Sequence, residues 1–582
     1  MLLFPLLCQT SAAQSPYPAS AEHPTPAWFV DVAAKAGITV RNVNGGEATK
    51  KYIVESTGSG VAILDYDRDG WPDIFLVNGT ELPTAKPSAD PPTSHLFHNN
   101  QDGTFTDVTA KSGLGLNAWG QGACVGDYDN DGFDDLYVTA YGHNHLFHNQ
   151  GDGTFLDVSA ESGTAGTGKE WGTGCAFIDY DRDGKLDLVV ADYVHFDLAA
   201  TPAPGAEAGC MWKGTPVMCG PRGLPGAPNI LFHNEGGGKF KDVSVSSGIQ
   251  KTLAHYCFSV TTLDYNEDGW PDIYVACDST PSILYRNNHD GTFTDVAADT
   301  GVAFNEDGRE QAGMGSTAAD YDASGHLSLF KTNFSDDTST LYHANGDGTF
   351  SDVTFAAGLG INLDALGWGA MFADVDNDGF PDLLVVNGHV YPEVDAAHLG
   401  ATFKEPRFLY WNQGPDKGGQ VKFRDLSKTS GPGLTEPLSG RGLAIADLFN
   451  DGRLEAVVNN LSDRPLLLVN QAKNSNHWLG LHLAGTVSNR SAIGARVELH
   501  GSKRIWVDEV RSGSSYSSSS DLRLHFGLGT ESHIDSIQVR WPNGKREEFS
   551  SPQVDRILDV VEGKGKPAHE IKAPQPQHPP AP

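Results

Sequence analysis

The sequence predicts an all-β protein, a seven-bladed β-propeller followed by a small β-rich domain, on three observations. An acidic phrase, "DYDRDGWPDI" at Asp65, recurs six more times, at Asp127, Asp179, Asp264, Asp320, Asp374 and Asp447. A second phrase, "HLFHNNQDGTFTDVTAKSGL" in its first copy, alternates with it. One stray copy of that second phrase's end, "WFVDVAAKAGI" from Trp28 to Ile38, precedes the first acidic phrase, while the seventh unit stops at Asn470.

Each unit reads as strand a ("GVAIL"), acidic loop, strand b ("DIFLVN"), strand c ("LFHN"), a Gly-containing turn and strand d ("FTDVT"). Four antiparallel strands per repeat is the content of a propeller blade. The stray N-terminal copy supplies strand d of the last blade, so the ring closes and no strand edge is left open. The propeller therefore spans 28–470. At 582 residues with 67 Gly and 33 Pro, the chain is long enough for such a ring and rich in turn formers.

The ends are different. Residues 1–13, "MLLFPLLCQTSAA", resemble a secretory leader whose basic start is missing, and bulky Leu7 before Cys8 argues against lipidation. No other run approaches a membrane span. From Asn476 to Gly563 a separate β-rich segment follows, and 564–582 is Pro-rich and expected to be disordered. A net charge of −33 argues against nucleic acid or an anionic membrane as partner and for bound cations.

The acidic loops explain that charge. Alternate residues of a tight loop can point several carboxylates at one Ca²⁺, which takes six to eight oxygens. In the first loop these are Asp65, Asp67, Asp69 and Asp73, at positions 1, 3, 5 and 9, with Gly70 permitting the turn. The sets Asp127, Asp129, Asp131, Asp135; Asp179, Asp181, Asp183, Asp187; and Asp374, Asp376, Asp378, Asp382 repeat it. Loop four has Asp264, Asn266, Asp268 and Asp272. Five sites are thus expected to bind. Loop five has Ser324 and Ser328, and loop seven Phe449, so these two should bind weakly or not at all. The alternative is that the loops are simple Asp-Gly turns; that reading leaves Asp at position 9, inside strand b, without a reason. The histidines of "LFHN", His98, His148 and His233, read as blade structure.

The "DxDxDGxxDL" loops with "LFxNxGDGTFxDV" resemble the FG-GAP/VCBS repeats of integrin-α-type propellers. The segment "NRSAIGARVEL…VRSGSSYSSSSDLRLHFGLG…IDSIQVRWPNG" resembles the ASPIC/UnbV domain. Together they look like the cartilage acidic protein family. The resemblance implies an extracytoplasmic, calcium-binding protein linked to adhesion or matrix.

The long insertions fall in the b–c loops, on the face opposite the acidic loops, where Trp119, Trp171, Tyr256 and Trp368 stand before the innermost strands. They are candidates for a stacking platform for a glycan or protein ligand, or for packing between blades. Cys210 and Cys219 should bridge within a Pro/Gly-rich insertion, and Cys257 and Cys277 flank one acidic loop and could meet across a hairpin; Cys124 and Cys175 are left without assigned partners. The leading expectation is an exported binding or adhesion module with structural calcium and no catalytic residues. The alternative is a polysaccharide lyase or hydrolase using acids of the insertion face such as Glu170, Asp192, Glu310 and Glu393.

Overall fold

A computed structural model of the protein describes residues 16–19, 25–47, 49–82, 89–198, 200–201, 205–206, 209–398 and 400–568. The leader at 1–13 and tail residues 569–582 lie outside the described residues.

Strand pairing gives five four-stranded antiparallel sheets and one eight-stranded sheet, in which two further four-stranded units are joined where Trp171 pairs with Tyr141. In the first unit of the chain, Val61–Leu64, Asp73–Leu76, His95–Asn99 and Phe105–Asp107 follow one another in sheet order, and the first two strands are buried on both faces. The innermost strands that follow are Trp119–Gly126, Glu170–Ile178, Cys257–Leu263, Ser316–Ala319, Gly367–Ala373 and Gly440–Ala446. Each lies beside the next, and Gly440–Ala446 lies beside Val61–Leu64, which closes the ring. The last unit is completed by Phe29–Asp31, with Phe29 opposite Asn470 and Asp31 opposite Leu468. Crowding at the axis explains the glycines of the inner strands: a Cβ on Gly174 would lie 2.5 Å from the carbonyl oxygen of Phe258 in the next blade.

A second device joins the blades. The strand-c asparagines Asn99, Asn149, Asn234, Asn287, Asn412 and Asn470 each donate Nδ2 to a carbonyl in the preceding blade's acidic loop, at 2.7 to 2.9 Å. Asn99 reaches Leu448 of the last blade and so ties the ends of the ring together. Blade five has Ala344 at this place. Asn149→Ala leaves the Tyr66 carbonyl without this partner, and a loss of about 1–3 kcal/mol is expected in the denaturant midpoint.

The C-terminal region forms two sheets. Leu524–Gly529, His477–Ala484 and Arg556–Val561 make one; Ile505–Glu509, Arg496–Gly501, Ile534–Arg540, Arg546–Ser550 and Lys566–Pro567 make the other. The region sits directly on the acidic-loop face. Its Ser-rich segment enters the channel: Ser519 exchanges backbone hydrogen bonds with Val61 and Ile63 of blade one, and Ser515 with Ser316 of blade five. Ala123 N–H of blade two donates to the Ser517 carbonyl at 3.1 Å. Tyr516, 1 % exposed, meets Trp368 edge-on at 4.7 Å and donates its hydroxyl to the Thr57 carbonyl. Serine hydroxyls add to these bonds: Ser518 and Ser520 accept the N–H groups of Val61 and Ile445, and Ser512 donates to the Val125 carbonyl.

Three disulfides are present. Cys210–Cys219 closes the insertion hairpin, and Cys257–Cys277 joins directly opposed residues of one strand pair. The third, Cys124–Cys175, links the inner strands of blades two and three. That pairing needs the ring, which places residues 51 apart in sequence side by side.

Candidate metal centres

All seven acidic loops share one backbone shape, complete or not. Position 4 is left-handed in each, at Arg68, Asn130, Arg182, Glu267, Ala323, Asn377 and Asn450, as is the glycine at position 6. The position-1 carboxylate holds this turn: Asp65 accepts the N–H groups of Asp69 and Gly70 at 3.0 and 2.9 Å. Asp127 and Asp374 do the same with Asp131, Gly132, Asp378 and Gly379, while Asp179 and Asp264 accept from Gly184 and Gly269.

Position 9 has a task that the sequence did not disclose. Asp73 accepts N–H groups from Asn99 (2.7 Å) and Tyr66 (3.3 Å), tying strand c to the loop. Asp135, Asp187, Asp272 and Asp382 accept in the same way from Asn149, Asn234, Asn287 and Asn412. The expectation that only a metal explains this aspartate is therefore corrected. In loop five, however, Ser328 Oγ accepts the Ala344 N–H at 3.0 Å. A neutral hydroxyl suffices for the hydrogen bond, so the buried charge of the aspartates still calls for a cation.

The electrostatics point the same way. Burial, reinforced by neighbouring aspartates, pushes Asp127 up to about 8 and Asp179 to about 7. Burial likewise holds Asp65 near 6 and Asp73, Asp135, Asp187 and Asp378 near 7. Burial also raises Asp272, Asp374 and Asp382 well above the ordinary carboxylate range. Carboxylate oxygens of Asp67, Asp179, Asp264, Asp272 and Asp376 are buried with no hydrogen-bond partner. Such oxygens, clustered and unsatisfied, fit a hard cation such as Ca²⁺.

Three histidines read from the sequence as blade structure stand in these clusters. Nδ1 of His98, His148 and His233 lies 3.3, 3.1 and 3.1 Å from Oδ1 of Asp73, Asp135 and Asp187. Within each of the groups Asp67–Asp73–His98, Asp129–Asp131–His148 and Asp181–Asp187–His233, the potential ligand atoms lie within 4.8 Å of one another. The signal was their fixed place one residue before the strand-c asparagine.

Loops four and seven are partly neutralised by guanidinium groups. Arg540 of the C-terminal region pairs with Asp264 Oδ2 at 2.5 Å in loop four, whose Asn266 side chain bonds Asp268. Loop seven holds its own guanidinium: Arg453 pairs with Asp451 at 2.8 Å, and Phe449 is buried against Tyr17. In loop five, His343 lies 3.3 Å from Asp322.

On the opposite face the stacking-platform reading is corrected. Trp119, Trp171 and Trp368 are buried; Trp119 Nε1 donates to Asn44 Oδ1 at 2.6 Å and Trp368 Nε1 to the Gly388 carbonyl at 2.7 Å. The Arg441 guanidinium covers the Trp368 ring at 4.0 Å. Tyr256 is part-buried and donates to the Leu224 carbonyl. The Trp171 Nε1 is buried without a hydrogen-bond partner, and all three indoles, enclosed as they are, pack blades together. Tyr52, Tyr141, Tyr391 and Phe334 are part-exposed against the same cluster. Trp212 of the disulfide hairpin packs on His389 and Tyr391. Of the acids considered on this face, Asp192 is buried and accepts the Trp171 N–H, Glu310 is exposed, Glu393 is part-buried, and the Glu170 side chain lies outside what is described.

Comparison with known proteins agrees with this architecture. The FG-GAP-like repeat family matches residues 65–138, 127–190, 264–331 and 320–385, and the ASPIC and UnbV family matches 485–567. The chain therefore carries FG-GAP-like repeats and a C-terminal ASPIC and UnbV region. Its curated relatives include cartilage acidic protein 1 of Homo sapiens and of Mus musculus, each 24% identical over 86% of this chain and covering 72% and 73% of those proteins. Among solved structures, an Agrocybe aegerita lectin recognising non-reducing terminal N-acetylglucosamine shares 14% identity, with a TM-score of 0.36 over 72% of this chain and 94% of that one. That likeness is too distant to bear on function. Among the described residues, no helix is long and apolar enough to cross a membrane.

Proposed function

We propose that the protein is an exported calcium-loaded binding module that engages a glycan or protein ligand through its insertion face, and that it is not an enzyme. Loops one, two, three and six would hold calcium through their four aspartates. Loop four would hold it more weakly because Arg540 already neutralises Asp264. Calcium supplies charge compensation and fixes the loops; these residues orient strands a, b and c. The three disulfides support an extracytoplasmic setting.

The observation that carries the face assignment is the seating of the C-terminal region. It covers the acidic-loop face and fills the channel, whereas the insertion face carries the part-exposed Tyr52, Tyr141, Tyr256, Tyr391 and Phe334. Aromatic rings with polar tips suit sugar and peptide recognition. Glycan and matrix-protein arrays provide the test. Tyr141→Ala or Tyr391→Ala should weaken any binding found at least about tenfold with calcium content unchanged; binding that survives both places the ligand elsewhere. Asp69→Ala, at an exposed position, should remove one ion per chain and leave the others, as read by elemental analysis.

A further inference from the structure

The complete loops meet solvent differently. In loop one Asp69 is exposed and Asp65 and Asp67 are part-buried; in loop two Asp129 and Asp131 are exposed; in loop three Asp183 is exposed and Asp181 part-buried. In loop six Asp374, Asp376, Asn377 and Asp382 are only 6, 7, 4 and 0 % exposed, and Asp378 is part-buried. The C-terminal region touches loop two through Arg490 and Ser491, and it lies against loop six at more points. Gly529 N–H donates to the Asn377 carbonyl at 2.7 Å, the His525 ring lies 2.7 Å from Asn377 Oδ1, and Asn476 Nδ2 donates to the Asp376 carbonyl at 2.8 Å. Arg504 Nη2 donates to the Gly379 carbonyl at 2.7 Å. A Cβ on Gly527 would stand 2.0 Å from Asp374 Oδ2, so only glycine lets this strand lie against the carboxylate.

Beneath this cover, Asp376 points an oxygen, Oδ1, that has no hydrogen-bond partner, while its other oxygen accepts the Trp411 indole N–H at 3.0 Å. The carboxylates of Asp374, Asp378 and Asp382 stand close enough to Asp376 for their charges to repel. Arg504, the cation beside the loop, bonds the Gly379 backbone and stacks on Phe380 and Trp506.

We propose that loop six is an occluded site for a hard divalent cation: its ion is sealed beneath the C-terminal region and escapes only when that region lifts, whereas the ions of loops one to three exchange with solvent. The inference rests on the calcium reading given above and adds a division of labour to it. Three loops report external calcium, and the sixth fastens the C-terminal region to the ring. Release from loop six requires breaking the contacts of His525, Gly529, Asn476 and Arg504 together, and cooperative openings of that kind are slow and rare.

The full-length protein loaded with radioactive calcium and diluted into excess chelator tests this. Most ions should leave within the mixing time, and one per chain should leave much more slowly. Asp376→Asn should abolish the slow ion alone, and His525→Ala should speed its release about tenfold while leaving the fast ions unchanged. Should Asp376→Asn fail to fold, terbium loaded into the wild-type chain keeps the test open, because Trp411 beside Asp376 should sensitise a slowly decaying luminescence. Release of all ions at one fast rate, or a slow ion that persists in Asp376→Asn, overturns the occlusion and leaves the calcium reading standing. Absence of any bound ion overturns both.

Discussion

Chelating calcium should lower the melting temperature of the protein by about 5–10 °C at pH 7.5, and the loss should shrink as the pH falls toward 5. An ion present at a hundredfold excess over its dissociation constant stabilises the folded chain by about 2.7 kcal/mol, so the four strong sites would contribute about 11 kcal/mol. Unfolding entropies of about 2 cal/mol/K per residue convert that into the stated shift for a chain of this length. The pH dependence follows from the buried aspartates. In the metal-free fold burial pushes them up to about 6 to 8, well above the ordinary carboxylate range. Between about pH 4 and 8 the folded chain therefore binds more protons than the unfolded one, and metal-free stability falls as pH rises through that window. Calcium reverses the trend by replacing the protons. Thermal scans with calcium and with chelator, at pH 5 and pH 7.5, check both the size and the sign; parallel curves at the two pH values would contradict the account.

The second large effect comes from the ring closure. Deleting residues 28–37 removes the strand Phe29–Asp31 and bares the edge of Leu466–Asn470, all of whose side chains are apolar except that of Asn470. An unpaired apolar edge invites pairing between chains, so the truncated protein should aggregate. A milder substitution separates closure from simple truncation. Phe29 is 1 % exposed, and its N–H donates to the Ser430 carbonyl at 2.8 Å. Phe29→Ala should cost about 3–5 kcal/mol while leaving the protein soluble at low temperature. Light scattering after size-exclusion chromatography reads the first outcome and denaturant unfolding the second. A monomeric truncation with an unaltered melting profile would refute the closed ring.

What the sequence made legible was whatever repeats. Seven acidic loops, the alternating "LFHN" phrase and the displaced copy at Trp28–Ile38 specify a closed ring of four-stranded units because each copy confirms the spacing of the others. The Cys210–Cys219 bridge was legible because its loop is local, whereas Cys124–Cys175 depends on neighbouring inner strands. Depth was not legible. Trp119, Trp171 and Trp368 were placed at the right level of the ring, yet nothing in their spacing tells whether an indole faces solvent or the next blade. The docking of the C-terminal region was equally hidden, since the Ser-rich segment bonds the inner strands largely through backbone groups, which any sequence carries. His98, His148 and His233 were set aside because they recur, although the aspartates beside them recur as well.

The measurement that bears most directly on the central claim, that clustered carboxylates of the propeller hold structural cations, is the calcium content of the purified full-length protein after dialysis against micromolar free calcium. Elemental analysis should give four to five ions per chain, with loop four filling last because Arg540 competes for Asp264. A content of none or one, with no change of melting temperature on adding chelator, would contradict it.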